Sequence, residues 1–458
     1  MALGVGGHFL FLHYLYGALH YIYLSRFSVM IGLADCNNFF VSCERTLRPD
    51  LEGKPVIVLS NNDGCAVARS NEAKALGIAM GAPLFKIRDI VERNHVAVFS
   101  NNYEFYHRKS REVHDLLREL APAIEIYSVD EAFLDLDGIA VDSLDEMGHR
   151  ISQEVHSRTG IPISVGISHN KTLAKIASKL CKHYPALHGS CLMHRPQDVD
   201  KVLSSFPIDD VWGIGRRFSA RLQELNISTV ADFLRLPESW VRLQMGIEGL
   251  RTYKELRGER CIPFSPDHGT KKSISNSHSF YTEIYDYREL LEQVHKFTSL
   301  TAEELRAQHS ACTRFTVFAF TNRFHTDQPQ QWGVFTIQLD PATNSTIELM
   351  KAADAALSHI FRKGYGYKKA GVTAFGFAPT NAVQGSFFDD GQLRDKHNRL
   401  MQVMDKINAA SPAHNQLIVA AQGFSGVKAK REHLSDPDGK KKDEKGKKTG
   451  NGKEDQPA

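Results

Sequence analysis

The chain has little of what marks secreted, zinc-binding or strongly charged proteins. Its seven cysteines are an odd number, and none belongs to a CxxC pair. This argues against a disulfide framework and a zinc site, and it favours a reducing compartment such as the cytoplasm. The 56 basic and 53 acidic residues leave a net charge of only +3. Because the total is so small, a nucleic-acid partner would have to bind through local basic clusters.

The two ends of the chain lack the features of a folded domain. Residues 1–29 have no basic n-region and no small-residue cleavage site, which argues against a signal peptide. We interpret them as an upstream extension that could stem from a misassigned start site, with a membrane anchor as the alternative. Residues 435–458 are rich in lysine and have no large apolar side chain, so we predict a disordered tail. Between the ends, the length is enough for several globular domains of roughly 100–200 residues each.

Two adjacent acids, Asp130 and Glu131, stand between two segments of alternating apolar residues. Successive strand residues point to opposite faces of a sheet, so one of the acids would face the core unless the chain turns there. We therefore predict a β-hairpin with its tip at residues 128–131. Carboxylates held this close repel each other. Either a divalent cation binds them, or they are solvated in an ordinary turn.

A third acid, Asp35, follows a short apolar strand in MIGLADCNNFFVSCE, residues 30–44. It could cap the next helix. Alternatively, its strand lies beside the hairpin and Asp35 meets Asp130 and Glu131. Three carboxylates would suit two magnesium ions roughly 3.5–4 Å apart, which is the arrangement that in-line phosphoryl transfer requires.

Two basic segments could supply contacts to phosphate. Residues 53–78 predict a strand, an NNDG turn, a second strand and a short helix, and Arg69, Asn71 and Lys74 cluster at the start of that helix. Residues 161–182 predict a strand that leads into a helix. Three lysines recur on this helix at steps of four, namely Lys171, Lys175 and Lys179. Solvated helix surfaces are the alternative for both segments.

Taken together and in this order, the segments DCNNFFVSCE, VLSNNDGCAVARSNEAKALGIAMG, EIYSVDEAFLDL and VGISHNKTLAKIASK resemble the Y-family translesion DNA polymerases. The SNNDGC stretch is similar to the UmuC branch. The resemblance covers roughly residues 30–434 and implies an α+β multidomain fold, the right-hand polymerase with palm, fingers, helical thumb and little finger. It also implies error-prone synthesis past damaged bases in the SOS response.

The resemblance assigns roles to residues. Asp35, Asp130 and Glu131 would hold two magnesium ions, with the backbone carbonyl of Cys36 serving the ion on the nucleotide side. Phe40 matches the steric gate that excludes a ribose 2'-hydroxyl, and Phe39 precedes it. The remaining nucleotide-binding positions are Arg69, Asn71, Lys74 and Lys175.

The later part of the chain agrees with this assignment. A glycine-punctuated turn, WGIGRR, lies between helical segments as in a helix-hairpin-helix, and Gly213, Gly215, Arg216 and Arg217 could hold duplex phosphates. A simple helix cap and turn is the alternative. From residue 273 the pattern predicts βαββαβ, with strands near 273–281, 313–321, 332–339 and 367–377 and helices near 287–308 and 345–363. The second helix presents an apolar stripe of Ile347, Met350, Ala353, Leu357 and Ile360.

The predicted domain boundaries follow from these segments. They are an extension at 1–29, palm and fingers at 30–205, a thumb at 206–256, a linker at 257–272, a little finger at 273–380, a clamp-motif linker and UmuC-type region at 381–434, and the tail at 435–458.

Partners are implied by the resemblance alone. They are primer-template DNA, deoxynucleoside triphosphates, a UmuD-like subunit, RecA and a sliding clamp. The segment QGSFF resembles a clamp-binding peptide, with Gln384, Phe387 and Phe388 as its anchors, although an exposed aromatic pair can also pack on a neighbouring domain.

Two other classes of function remain. A DNA-binding accessory protein without synthesis would explain the basic segments but not three acids beside phosphate-binding residues. A nucleotide cyclase with a similar palm would explain the acids but not the DNA-gripping segments downstream.

Overall fold

The computed structural model describes residues 29–266, 269–382, 391–410, 417–423 and 430–436. Nearly all of the predicted N-terminal extension and lysine-rich tail, and all of the QGSFF segment, lie outside these residues. Across the described ranges, no helix combines the length and the apolar character needed to cross a lipid bilayer.

Residues 31–192, which form the palm and the fingers, contain eight strands and six α-helices. In chain order they are β1 (Ile31–Cys36), α1 (Phe39–Leu47), β2 (Val56–Leu59), β3 (Ala66–Arg69), α2 (Asn71–Ala75), α3 (Leu84–Arg93), β4 (Ala97–Ser100), α4 (Tyr103–Leu120), β5 (Ala123–Ile126), β6 (Glu131–Asp135), α5 (Val141–Thr159), β7 (Ile163–Ser168), α6 (Lys171–His183) and β8 (Ser190–Leu192).

Five of these strands form the palm sheet in the order β5-β6-β1-β7-β8. The strands β5 and β6 form the predicted hairpin, and β1 runs antiparallel between β6 and β7. One face packs apolar side chains such as Ala34 and Leu134 against α4 and α5, while Leu33 and Phe133 on the other face pack with Ala174 of α6. Because side chains alternate along a strand, Asp35 shares the face of Leu33, beneath α6.

Helix α6 lies very close to the palm sheet because β7 carries a glycine at the point of contact. A Cβ atom on Gly166 would come within 2.1 Å of the backbone nitrogen of Ser178 and 2.3 Å of the carbonyl oxygen of Ala174. Any side chain here would push α6 away from the sheet. Since α6 carries the lysines, this glycine determines how near they come to the acids of β1 and β6.

The fingers contain a separate three-stranded sheet in the order β3-β2-β4. The predicted strand, turn, strand and helix of residues 53–78 are confirmed. The side chain of Ser70 caps α2 by accepting a hydrogen bond from the backbone nitrogen of Ala73 at 3.2 Å. This cap begins the helix between the predicted phosphate-binding residues Arg69 and Asn71.

The next region is helical and comprises α7 (Pro196–Ser205), α8 (Arg216–Glu224), α9 (Val230–Leu234) and α10 (Glu238–Leu256). Leu203 of α7 is buried with Leu222 of α8 and Phe233 of α9 in one cluster. The boundary predicted between residues 205 and 206 stays a prediction, and the packing shows that α7 shares its core with the helices that follow it.

The little finger has the predicted βαββαβ order. It comprises β9 (Ser273–Ile284), α11 (Tyr287–Ala307), β10 (Ser310–Thr321), β11 (Trp332–Thr343), α12 (Thr346–Ile360) and β12 (Tyr367–Pro379), and it is followed by α13 (Gly391–Ala410). The sheet order is β11-β10-β12-β9. Four members of the predicted apolar stripe of α12 are buried, but Ile347 is only half-buried and Leu349 is fully buried instead. The stripe therefore lies slightly rotated from its predicted position.

Candidate active site

The acids that are far apart in the sequence become neighbours because β1 pairs with β6. Asp35 lies directly opposite Glu131 in the antiparallel register. Asp35 does not cap the helix that follows, since the N-cap of α1 is Asn38 and no side chain bonds there. Of the two alternatives for Asp35, the structure therefore bears out the meeting of strands.

Asp130 occupies the hairpin loop just before β6. Its Oδ1 accepts a hydrogen bond from the Ser128 hydroxyl at 2.5 Å, and its backbone carbonyl accepts one from the backbone nitrogen of Cys36 at 2.8 Å. The loop is therefore tied to the end of β1, and the peptide of Cys36 lies beside it. The hairpin loop is residues 127–130, one residue earlier than the predicted tip, because β5 ends at Ile126 and Glu131 already belongs to β6.

Two lysines of α6 reach down to these acids. The Nζ atom of Lys175 lies 2.8 Å from Glu131 Oε1, and that of Lys182 lies 2.6 Å from Asp35 Oδ1. Lys171 is buried in a separate ion pair with Glu125. A solvated helix surface, the alternative considered for the lysines, is therefore wrong for Lys171 and Lys175. Sequence reasoning missed Lys182, although its spacing of seven from Lys175 puts both on one helix face.

Burial makes ionisation of the Asp35 carboxyl group unfavourable. Desolvation raises the pKa of Asp35 to about 6; the ion pair with Lys182 opposes this shift, and the charges of Glu131 and Asp130 add to it. Two lysines thus face three acids, which leaves an excess of negative charge. Carboxylate and carbonyl oxygens are the ligands that hard divalent cations prefer, so the residues present fit such an ion. In the described structure, where lysines bind Asp35 and Glu131, the three acids do not all lie within 4.8 Å of one another.

A cleft of about 760 Å³ opens beside the acids. Its lining combines the two acids, the lysines and the start of α1 and α2; it includes Asp35, Glu131, Asn38, Asn71, Lys74, Lys175, Lys179, Lys182, Asp210 and Trp212. The cleft therefore brings together residues from the palm, the fingers and the first segment after α7.

The fingers side of the cleft holds a small amide and ammonium network. Lys74 Nζ donates to Asn38 Oδ1 at 2.6 Å and to Asn71 Oδ1 at 3.1 Å, and the Asn38 amide donates to Asn71 Oδ1 at 3.1 Å. Burial lowers the pKa of Lys74, and the nearby charges of Arg69 and Lys182 lower it further. A cluster of cations that repel one another favours an anionic ligand. Asn38 was missed, because an asparagine at a helix start reads as a cap.

Two predicted nucleotide-binding residues differ from expectation in their side chains. The Arg69 guanidinium donates to the backbone carbonyl of Ile78 at 2.7 Å and does not line the cleft. The ring of Phe39 is buried in the palm core, so only its backbone could meet a nucleotide. Phe40 is half-buried and stacks on Tyr106, with ring centroids 4.6 Å apart. That support holds the predicted gate ring in place.

Aromatic rings enclose the lysine that binds Glu131. Lys175 Nζ lies 4.5 Å from the ring centroid of Tyr127 and 5.3 Å from that of Trp212. The Trp212 indole nitrogen donates to the Tyr127 hydroxyl at 3.1 Å. The segment before α8 thus contacts the hairpin, and the cation–π contacts restrict where the lysine can move.

The predicted DNA-binding turn is exposed at the start of α8. Gly213 has a φ of +91°, and a Cβ atom there would come within 2.6 Å of the Thr252 hydroxyl, so the turn needs a glycine. Gly215 is the N-cap of α8, and Arg216 and Arg217 are exposed in its first turn. The free backbone amides of this helix start and the two guanidinium groups are therefore available to an anion.

Comparison with protein families accounts for most of the chain. The impB/mucB/samB family matches residues 34–179, the C-terminal domain of that family matches residues 271–387, and the HHH motif of the family matches residues 196–227. The three matches correspond to the catalytic region, the little finger and the start of the helical region between them.

Individual relatives agree with these matches. The chain is 38% identical to Protein UmuC of Salmonella typhimurium over 409 residues, which cover 89% of this chain and 97% of that protein. It is 38% identical to Protein ImpB of Salmonella typhimurium, covering 83% and 90%, and 30% identical to DNA polymerase IV of Brucella melitensis, covering 61% and 62%. Among solved structures, a Y-family DNA polymerase chimera of Dbh and Dpo4 superposes with a TM-score of 0.64 at 23% identity, over 76% of this chain and 98% of that one. The chain therefore belongs to the impB/mucB/samB family, the UmuC branch of the Y-family DNA polymerases.

Proposed function

We propose that the cleft beneath α6 adds deoxynucleotides to a primer 3'-hydroxyl, with Asp35, Asp130 and Glu131 as the ligands of two magnesium ions. The chain is a DNA-directed DNA polymerase of the error-prone translesion type that serves the SOS response. One observation supports the site above all others: the antiparallel register sets Asp35 opposite Glu131 on the face that α6 covers with lysines.

The residues of the cleft have different roles in the proposed reaction. The three acids and the backbone carbonyl of Cys36 offer oxygen ligands, and bound magnesium would activate the attacking hydroxyl and neutralise the leaving phosphates. Lys175 and Lys182 balance the charges of Glu131 and Asp35, and their ammonium groups would contact a triphosphate bound in the cleft. Lys74 and Asn71 extend the contacts to the phosphates.

Sugar selection and grip on DNA rest on other residues. Phe40, braced by Tyr106, would occupy the space that a ribose 2'-hydroxyl needs. Gly213, Gly215, Arg216 and Arg217 would bind duplex phosphates without reading sequence. The open face of the little-finger sheet would supply a further sequence-independent surface. Such an accessible grip tolerates damaged template bases at the cost of fidelity.

Primer extension on a template with an abasic site tests the catalytic assignment. With magnesium and deoxynucleotides, we expect the Asp130→Ala variant to lose extension by ~10³-fold or more, since a metal ligand is worth several kcal/mol in the transition state and each 1.36 kcal/mol is tenfold. Asp210→Asn is the matched control, because Asp210 lines the same cleft but is ion-paired only with Lys179 near the surface. We expect it to keep its rate within about threefold.

Several outcomes would contradict the proposal. Extension by a folded Asp130→Ala variant at the parental rate would refute the role of the acids. Tight DNA binding by the parent chain without any extension, also with a UmuD-like subunit and a RecA filament present, would favour an accessory protein. A product formed from nucleotide without DNA would favour a cyclase. Circular dichroism of each variant checks that it is folded.

Partner contacts beyond DNA and nucleotide complete the proposal. As the resemblance to the UmuC branch implies, we propose a UmuD-like subunit, RecA and a sliding clamp as partners in the cytoplasm, with Gln384, Phe387 and Phe388 as the clamp-binding residues. These three lie outside the described residues. Loss of clamp binding by a Gln384→Ala, Phe388→Ala double variant, measured by surface plasmon resonance, would support the clamp peptide.

A further inference from the structure

A segment near the C-terminus, residues 430–436, crosses onto the fingers and adds to the edge of their sheet. The backbone nitrogen of His433 donates to the Ser100 hydroxyl at 2.9 Å, and the backbone nitrogen of Ser100 donates to the His433 carbonyl at 2.9 Å. Ser100 ends β4, which is an edge strand of the fingers sheet. We call residues 430–436 the strap. Its backbone is therefore held in one register against the fingers.

Three potential metal ligands meet where the strap crosses the turn between β2 and β3. Asp63, Glu432 and His433 each offer one ligand atom, and these atoms all lie within 4.8 Å of one another. In the described part of the chain this is the one trio of histidine, cysteine and acidic side chains with that spacing. None of the three belongs to the catalytic cleft.

A second observation, a buried carboxylate oxygen without a hydrogen-bond partner, also points to a cation site here. Asp63 is 7% exposed, so its carboxylate is almost completely buried. Its Oδ2 accepts a hydrogen bond from the backbone nitrogen of Glu432 at 2.8 Å, but its Oδ1 is buried and has no hydrogen-bond partner. A buried carboxylate oxygen is normally satisfied by a donor or a cation. The Glu432 and His433 side chains of the strap lie within 4.8 Å and can supply further ligands.

We propose that Asp63, Glu432 and His433 bind a divalent metal ion such as zinc, and that this ion fastens the strap to the fingers. One imidazole and two carboxylates are a donor set that suits zinc and similar metals, whereas magnesium and calcium prefer oxygen ligands alone. Ligands of one tetrahedral zinc ion at ~2.0–2.2 Å stand roughly 3.3–3.6 Å apart. The observed spacing therefore closes by small rotations of the two exposed strap side chains.

Lys430 is the cation already close to the site. Its Nζ lies 2.8 Å from Glu432 Oε1 and 5.3 Å above the ring of Tyr281 in β9. A metal ion would compete with it for Glu432, and the ammonium group can remain on the ring. Removing Lys430 should therefore leave metal binding intact or strengthen it.

The position of the site gives the ion a structural consequence. Besides the fingers, the strap contacts the palm, because the Ser435 hydroxyl donates to Glu44 Oε1 at 3.1 Å, and it contacts the little finger through Tyr281. An ion at Asp63 would fix the middle of a segment that touches three regions of the molecule. It would thus resist the separation of the fingers from the little finger.

Metal binding to the whole chain tests the proposal. The chelator-stripped protein is titrated with Co²⁺ followed by visible absorption and, separately, with Zn²⁺ followed by metal analysis after gel filtration. We expect the parent chain to retain one more ion per chain than His433→Ala, and to show a Co²⁺ absorption band that this variant lacks. His433 is exposed, so its replacement does not disturb a core. Asp63→Asn should lose the same ion.

Two control variants distinguish the proposed metal ligands from other residues that do not bind the ion. His107→Ala removes an exposed histidine of α4 and should leave the stoichiometry unchanged, and Lys430→Ala should bind with equal or higher affinity. Zinc should slow amide hydrogen exchange in the strap at least tenfold in the parent chain and not in His433→Ala. Equal stoichiometry in the parent and His433→Ala, or equal loss in His107→Ala, would overturn the proposal. Because the readout is metal content, a failure here leaves the polymerase assignment untouched.

Discussion

The palm and the little finger are both sheets that pack against helices, but they differ in where their charged side chains lie. The palm brings acids and lysines beneath α6, and it buries a complete ion pair between Lys171 and Glu125. The little finger buries only one face of its sheet, against α11 and α12. Its other face is open and largely uncharged.

The open face of the little-finger sheet presents hydroxyl groups and aromatic rings, with few charged side chains. Along β9, four of the exposed residues are alternate serines, namely Ser273, Ser275, Ser277 and Ser279. At the other side of the sheet, Phe320 of β10 stacks on the exposed Trp332 of β11 with ring centroids 3.7 Å apart. Hydroxyl groups and rings bind DNA through many weak contacts, whereas a buried carboxylate has few partners and large effects. The comparison therefore predicts large single-residue effects in the palm and small ones in the little finger.

The largest effect on stability should come from the buried ion pair of the palm. Both oxygens of Glu125 accept from Lys171 Nζ, at 2.6 and 2.7 Å. Glu125→Gln leaves the ammonium buried without its counter-charge, which should cost about 3–5 kcal/mol of local unfolding free energy. Hydrogen exchange of peptides from β5 and α6 measures it. Glu304→Gln in the little finger, which breaks the exposed pair with Lys271, should cost about 0–1 kcal/mol. Equal losses of stability in Glu125→Gln and Glu304→Gln would contradict the proposed difference between the palm and the little finger.

A buried histidine should make the catalytic region sensitive to acid. Desolvation in α4 lowers the pKa of His114 to about 4, and the charge of Arg118 lowers it too. The unfolded chain takes up this proton below pH ~6.5, and the folded chain does so only below pH ~4. The unfolded state therefore binds more protons in between, and stability falls by about 3 kcal/mol as the pH drops through that window.

Denaturation at pH 7.5 and pH 5 checks this effect of His114. In the parent chain, the free energy of unfolding should be lower at pH 5 than at pH 7.5. His114→Leu should remove most of the part of this difference that comes from His114. His359→Leu, at an exposed position of α12, should leave that difference unchanged. An unaltered pH dependence in His114→Leu would show that the acid sensitivity has another source.

The gate residue should have an intermediate effect on selectivity. Phe40→Ala opens the space beside the sugar and should raise ribonucleotide incorporation relative to deoxynucleotide by about 10- to 100-fold. Single-nucleotide kcat/KM values for both substrates measure the ratio. The exposed ring of Phe85 in α3 is a control, and Phe85→Ala should keep the parental ratio. An unchanged ratio in Phe40→Ala would refute the gate.

The smallest effect should come from the open face of the little finger. Arg314 is exposed on β10 and lies 4.7 Å over the ring of Phe375. Arg314→Ala should weaken DNA binding less than about tenfold at any sequence and lower the slope of log K against log salt by about 1. Fluorescence anisotropy over a salt series measures both. Arg288→Ala, on the helix side, should change neither. A loss larger than that of any palm variant would reverse the comparison.

Local patterns predicted the elements of this chain well. Alternating apolar residues predicted the hairpin and the four strands of the little finger, and the pattern of residues 53–78 predicted the strand, turn, strand and short helix of the fingers. Such features depend on neighbours in the sequence, which act over one or two turns. The rotation of α12, where Leu349 replaces Ile347 in the core, arose because the sheet it packs on decides which edge of an apolar stripe is buried.

The sequence by itself determined the family motifs, the order of the elements and the identity of the acids at 35, 130 and 131. Only the tertiary structure decided which lysine meets which acid, that Lys171 is buried, that Arg69 turns to Ile78, and that the strap returns to Asp63 across more than 300 residues. For the contacts between lysines and acids, the physical reason is that they depend on strand register and on the close approach of α6 over Gly166. Neither can be read from a short window of sequence, because both are settled by packing between distant segments.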